Sequence, residues 1–167
     1  ALLTHHSSYV AKALSGPRKG AEEGIIKLEG VEYGIFEIFV NWLYTGKLPS
    51  KYEDWLVQLD PHLEWRMEQK LVLIKACVFG DRFLVPGFHG AVQNHIIDFF
   101  VQWGFFCYLA IIHAFANLSS NSPVLQLLVD AHCRGFEDGN DDAENGELKR
   151  RDQLPNSFLV RIMIRYS

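Results

Sequence analysis

Tyr33 to Gly46, Y-G-I-F-E-I-F-V-N-W-L-Y-T-G, restricts what this chain can fold into more than any other stretch. Phe36, Phe39, Val40, Leu43 and Tyr44 fall at i, i+3, i+4, i+7 and i+8, the spacing of one helical face. Ile35, Ile38 and Trp42 widen that face, and Glu37, Asn41 and Thr45 are left as the only polar stripe. The pattern predicts a helix nearly surrounded by protein. Gly46 suits the left-handed residue that closes a helix, and Pro49 bars its continuation. Each large side chain here stabilises the fold by roughly 1.5–3 kcal/mol when fully buried. These residues read as core and carry no chemistry of their own.

The rest of the chain must supply the partners. With 167 residues, 49% of them hydrophobic and 13% aromatic, there is material for one sizeable core, with or without an appendage. Leu2, Leu3, Tyr9, Val10, Ala13 and Leu14 give a short helical pattern, broken at Ser15-Gly16-Pro17. Gly24 to Leu28 reads as a short strand with Ile26 and Leu28 on one face. Lys47 to Glu64 reads as loop. From Trp65 to Phe83, Met67, Leu71, Ile74 and Val78 recur at helical spacing, with Lys70 and Lys75 on a wetter face. Pro86 is placed to open the next helix, which carries Phe88, Val92, His95, Ile96, Phe99 and Trp103 on one side. Pro123 opens another, with Val124, Leu127, Leu128 and Ala131 inward.

Phe99 to Val129 contains no charged residue, which raises the alternative of a membrane-associated helical protein. Gln102, His113, Asn117 and the Ser119–Pro123 break leave an apolar run of about 16 residues, below the ~20 that a span needs. No basic cluster flanks the run. A helix docked onto the domain is the expectation, and a membrane is not an expected partner. Glu137 to Glu147 is acidic and rich in Gly and Asn, so an acidic mobile linker is expected at 137–151. Phe158, Leu159, Ile162, Met163 and Tyr166 then form a final amphipathic helix with Arg161 and Arg165 on its polar side. Ile162 and Met163 are the candidates for covering the charge-free stretch.

A net charge of −4 argues against nucleic acid as a partner, since that needs clustered Lys and Arg. Cys77, Cys107 and Cys133 are odd in number and widely spaced, as in an intracellular protein with reduced thiols, nuclear or cytoplasmic. No basic start with an apolar stretch and cleavage site marks a signal peptide. Asp138, Asn140 and Asp142 alternate like the first ligands of a calcium loop, but Ala143 stands at the glycine position and Lys149 at the closing glutamate. Thr45-Gly46-Lys47 lacks the remaining residues of a phosphate loop. His5-His6 and His132-Cys133 are adjacent pairs that point about 100° apart on a helix, and His89 and His95 share no face. No serine sits in a nucleophile elbow. The chain is therefore expected to be no enzyme, with no catalytic, cofactor-binding or metal-binding residues.

An aromatic-rich helix ending W-L-Y-T-G resembles the central helix of the BTB/POZ domain, a protein-interaction fold. Leu2-Leu3 ahead of Ser7-Ser8-Tyr9-Val10 resembles the family's apolar pair before a Ser-x-Tyr-Phe step, with Val10 in place of Phe. Leu71 to Phe83 and Val85-Pro86 resemble its paired helices after the Tyr-Thr-Gly turn. The long polar loop and the later L-L-V-D look most like BTB proteins abundant in filamentous fungi. The resemblance implies an α+β fold, mostly helical, with a small sheet and a C-terminal helical extension. Residues 1–101 would form the BTB/POZ-like domain, N-terminally incomplete, and 102–167 the extension.

The implied function is that of a non-catalytic protein–protein interaction module, an adaptor or scaffold whose partners are other proteins. The family commonly forms homodimers through a first strand and helix, which here would lie before Ala1, so homodimerisation is left open. Some members are substrate adaptors for a cullin-type ubiquitin ligase, using the loop after the Tyr-Thr-Gly turn. In Lys47-Leu48-Pro49-Ser50-Lys51-Tyr52-Glu53-Asp54-Trp55 the adjacency of Tyr52 and Glu53 departs from their apolar-x-Glu spacing. Leu48, Tyr52, Glu53 and Trp55 remain the candidate protein-binding residues, although packing of Leu48 and Trp55 beneath the loop is the more common role for such side chains.

Overall fold

A computed structural model describes residues 2–15, 25–50, 55, 65–103, 107–135 and 147–167. The helices among them are α1 (Leu2–His6), α2 (Ser8–Ser15), α3 (Tyr33–Thr45), α4 (Trp65–Arg82), α5 (Pro86–Trp103), α6 (Tyr108–Asn117), α7 (Pro123–Gly135) and α8 (Asn156–Tyr166), with a 3-10 helix at Leu148–Gln153. The fold is mostly helical. The small sheet expected around Gly24–Leu28 is not there among the described residues, because residues 25–28 have no ladder partner. Apolar alternation produces a strand only when a second strand takes up its N–H and C=O groups.

α3 is the predicted helix, closed by Gly46 in the left-handed region at φ 69°, whose N–H donates to Trp42 O at 2.7 Å. Its buried face is Ile35, Ile38, Phe39, Trp42 and Leu43. Tyr44, expected inward, is 78% exposed, so the inner face is rotated toward Trp42 and Ile38. Phe39 lies at the centre of an aromatic cluster, 4.9 Å from Phe79 and 5.3 Å from Phe88, with Trp42 5.4 Å from Phe88.

α4 departs most from expectation. Val72, Leu73, Ile74, Ala76, Cys77 and Phe79 are all buried, whereas the expected Leu71 and Val78 are only half-buried. A helix packed against α3, α5 and α6 has no single inward stripe, so helical spacing alone misplaces its core. Its closest approach is at Gly80, where a Cβ would stand 2.9 Å from the His89 Cα of α5. Gly80→Ala should therefore force α4 and α5 apart and cost about 1–3 kcal/mol, read as a lowered denaturant midpoint.

The helical pattern at the N-terminus is broken at Ser7. Its Oγ donates to Phe83 O at 2.6 Å and accepts the Val10 N–H at 3.0 Å. One hydroxyl thus caps α2 and ties it to the end of α4.

The charge-free stretch is divided between the end of α5, the ten-residue α6 and the start of α7. Among the described residues no helix is long and apolar enough to cross a membrane. Leu109, Ile112 and Phe115 of α6 pack against the core. Phe158 is fully buried 5.5 Å from Phe115, and of the two expected covering residues Ile162 packs against the core while Met163 is 71% exposed. Arg161 and Arg165 lie on the polar side as expected and also tether α8: Arg161 Nη2 donates to Ser120 O at 2.5 Å and Arg165 Nε to Asp130 Oδ1 at 3.1 Å. Leu159, Val160, Met163 and Ile164 are consequently exposed.

Residues 137–146 of the expected mobile linker lie outside the described residues. Its last part is not a free linker. Glu147 is 2% exposed and Leu148–Gln153 is helical, because the Glu147 carboxylate binds the start of α6.

Candidate protein-binding surface

The loop after Gly46 carries the residues singled out from the sequence, and the structure separates them. Leu48 is half-buried against the core. Trp55 is 3% exposed; its Nε1–H donates to Pro49 O at 2.9 Å and its ring stacks on His95 at 5.1 Å. That indole anchors the loop to α5 and is not displayed to a partner. Tyr52 and Glu53 lie outside the described residues.

Two surfaces that periodicity did not single out are more open. The first is an apolar groove of about 190 Å³ between α1–α2, residues 26–28 and α3, walled by Leu3, Val10, Leu14, Ile26, Leu28 and Phe36. Its neighbours Leu2, Tyr9, Ile25 and Leu84 are exposed. The second is the outer side of α8, with Val160, Met163 and Ile164 at i, i+3 and i+4. Both place apolar side chains beside polar ones, the make-up of a recognition surface. The signal for the second was present in the sequence as an apolar helix with two arginines. It is hidden in the sequence because arginines ordinarily mark the wet face of a helix.

Among the described residues, burial is the first cause of the shifts at three histidines and two cysteines. Burial lowers the imidazoles of His89, His95 and His113, with Lys75 also lowering His113. Burial pushes the Cys77 thiol up to about 12 and the Cys107 thiol up to about 11, so both stay protonated. Ser7 Oγ is committed to Phe83 and Val10. Among the described residues no group of three His, Cys, Asp or Glu side chains could hold a metal.

The three histidines have a consequence for stability. Their folded values lie below the ordinary 6.5, so the unfolded chain binds more protons between the two. Their contribution should be fully present above about pH 6.5 and decline as pH falls through the lowered values. Thermal midpoints measured from pH 7.5 to 5 should fall, and replacing His89 by Gln should flatten the slope.

Residues 1–71 match the family model of the BTB/POZ domain. No curated protein and no solved structure matches the chain. The family match ends within α4, while one cluster of buried residues continues from Ile35 to Phe158.

Proposed function

We propose that this chain is a non-catalytic protein–protein interaction module, on the ground that residues 1–71 match the BTB/POZ family model. The family match carries the reading, because BTB/POZ domains are generally interaction modules and not enzymes. The exposed apolar side chains on α8 and around the α1–α2 groove supply the anchors such a module needs. A cullin-adaptor role is the narrower reading. It would use the loop after Gly46, where Trp55 is already spent on the core, so it rests on Leu48, Tyr52 and Glu53.

The test is affinity capture from cells with the 167-residue chain, its Met163→Glu and Leu3→Glu variants, and purified cullin added in a separate arm. A partner set retained by the wild type and lost with one folded surface variant is the expected result. Retention that no surface variant alters, or no retention at all, would overturn the reading. Cullin binding that survives Leu48→Ala would remove the loop from the adaptor role.

A further inference from the structure

Between the turn at residues 29–32, α4 and α6 lies a cleft of about 100 Å³ that gathers Lys75, Arg82, His113 and Glu32. Lys75 and Arg82 are seven residues apart on α4, two turns along one side. Lys75 Nζ holds Glu32 Oε1 at 2.5 Å, so that pair is neutral as a whole. Arg82 has no carboxylate within ion-pair distance among the described residues. The cleft therefore carries a net positive charge on a chain whose total is −4.

Arg82 is exposed and lies close to two neighbours. Its guanidinium carbon stands 5.2 Å from the centre of the Phe83 ring. Its Nη1 lies 3.5 Å from where a Cβ on Gly30 would stand, and Gly30 has φ +65°, which glycine adopts without strain. The Arg82 fork of N–H donors borders a cleft whose lining also includes Ile35, Val78 and Phe79. A cleft of about 100 Å³ has room for a carboxylate and its methylene.

We propose that this cleft binds a carboxylate, presented by an acidic side chain of a protein partner, with Arg82 as the principal ligand and Lys75 and His113 beside it. A guanidinium binds a carboxylate through two parallel N–H···O bonds. Burial, with Lys75 beside it and Glu32 opposing, lowers the His113 imidazole, so it meets a ligand as a neutral donor or acceptor. The proposal rests on the interaction-module reading for the source of the carboxylate, and on the cleft alone for the chemistry.

The test is an NMR titration of the labelled 167-residue chain with N-acetyl-aspartate methylamide, N-acetyl-asparagine methylamide and acetate, following Arg82 Nε–H and the His113 ring. The aspartate probe should shift both signals saturably, with the shift weakening as salt rises. The asparagine probe should shift neither. Arg82→Ala should weaken binding at least about tenfold, Arg82→Lys should be intermediate, and the melting midpoint should stay unchanged in both. No saturable shift, an equal shift with asparagine, or full binding by Arg82→Ala would overturn the proposal. Acetate binding as tightly as the aspartate probe would make this a small-anion site and overturn the partner assignment. Because the probes need no partner, failure here is visible independently of the capture experiment.

Discussion

Phe158→Ala is expected to lower the stability of the whole chain by about 3–5 kcal/mol, the range for a fully buried phenylalanine. Phe158 sits in the first turn of α8, 5.5 Å from Phe115 on α6 and 5.3 Å from His132 on α7. It is the only fully buried side chain among the described residues of α8. Its loss would leave a cavity bounded by two helices, with the tethers Arg161–Ser120 and Arg165–Asp130 bearing on exposed partners. Exposed pairs of that kind contribute little, about 0–1 kcal/mol each. α8 should then detach, exposing Leu109 and Phe115 and raising hydrophobic dye binding. Leu159→Ala, on the next residue but outward, should cost no more than about 0.5 kcal/mol. A Phe158→Ala midpoint equal to that of Leu159→Ala would mean α8 covers nothing.

The contrast between those two neighbours shows what the sequence could and could not convey. α3 was legible because one dominant apolar face and a closing Gly46 are local signals. Even there the face was off by part of a turn, since Tyr44 is as apolar in pattern as Leu43 and only its neighbours decide which is covered. α4 was legible as a helix and illegible as a packing element. Val72, Leu73 and Cys77 are buried through contacts with helices from both sides in sequence. Met163 of α8 was misplaced for a related reason. Arg161 lies over the Phe115 ring at 5.6 Å and Arg165 meets Asp130, so the polar side is tethered as well while Met163 and Ile164 face out. Such side chains cover apolar surface with their stems and reach polar partners with their tips.

The candidate site divides the same way. Trp55 was named as an anchor because a large aromatic in a polar loop suggests one. The alternative, that it packs beneath the loop, is what the Pro49 and His95 contacts show. The Arg82 cleft joins α4 to α6 and a turn some forty residues earlier, a pairing that no spacing rule contains.

Glu147 is the residue least visible from sequence, and its substitution should have the second large effect. It ends an acidic run, and its carboxylate is nonetheless buried. Oε2 accepts the Tyr108 N–H at 2.5 Å and Oε1 meets Arg150 Nη1 at 3.3 Å. Tyr108 opens α6, and its preceding residue, Cys107, makes no side-chain cap. The first N–H groups of a helix lack internal partners, and negative charge is favoured there. A glutamate thirty-nine residues later therefore performs the capping that the local sequence omits. Glu147→Ala should cost about 1.5–3 kcal/mol, the worth of a hydrogen bond to a charged group, because Tyr108 N–H is left buried without an acceptor. Glu147→Gln keeps an acceptor and the volume but not the charge, so it should lose less. Denaturant midpoints should rank wild type above Gln above Ala, and the Tyr108 amide should exchange faster in the Ala variant. An unchanged Tyr108 exchange rate in Glu147→Ala would show that α6 is capped by something else.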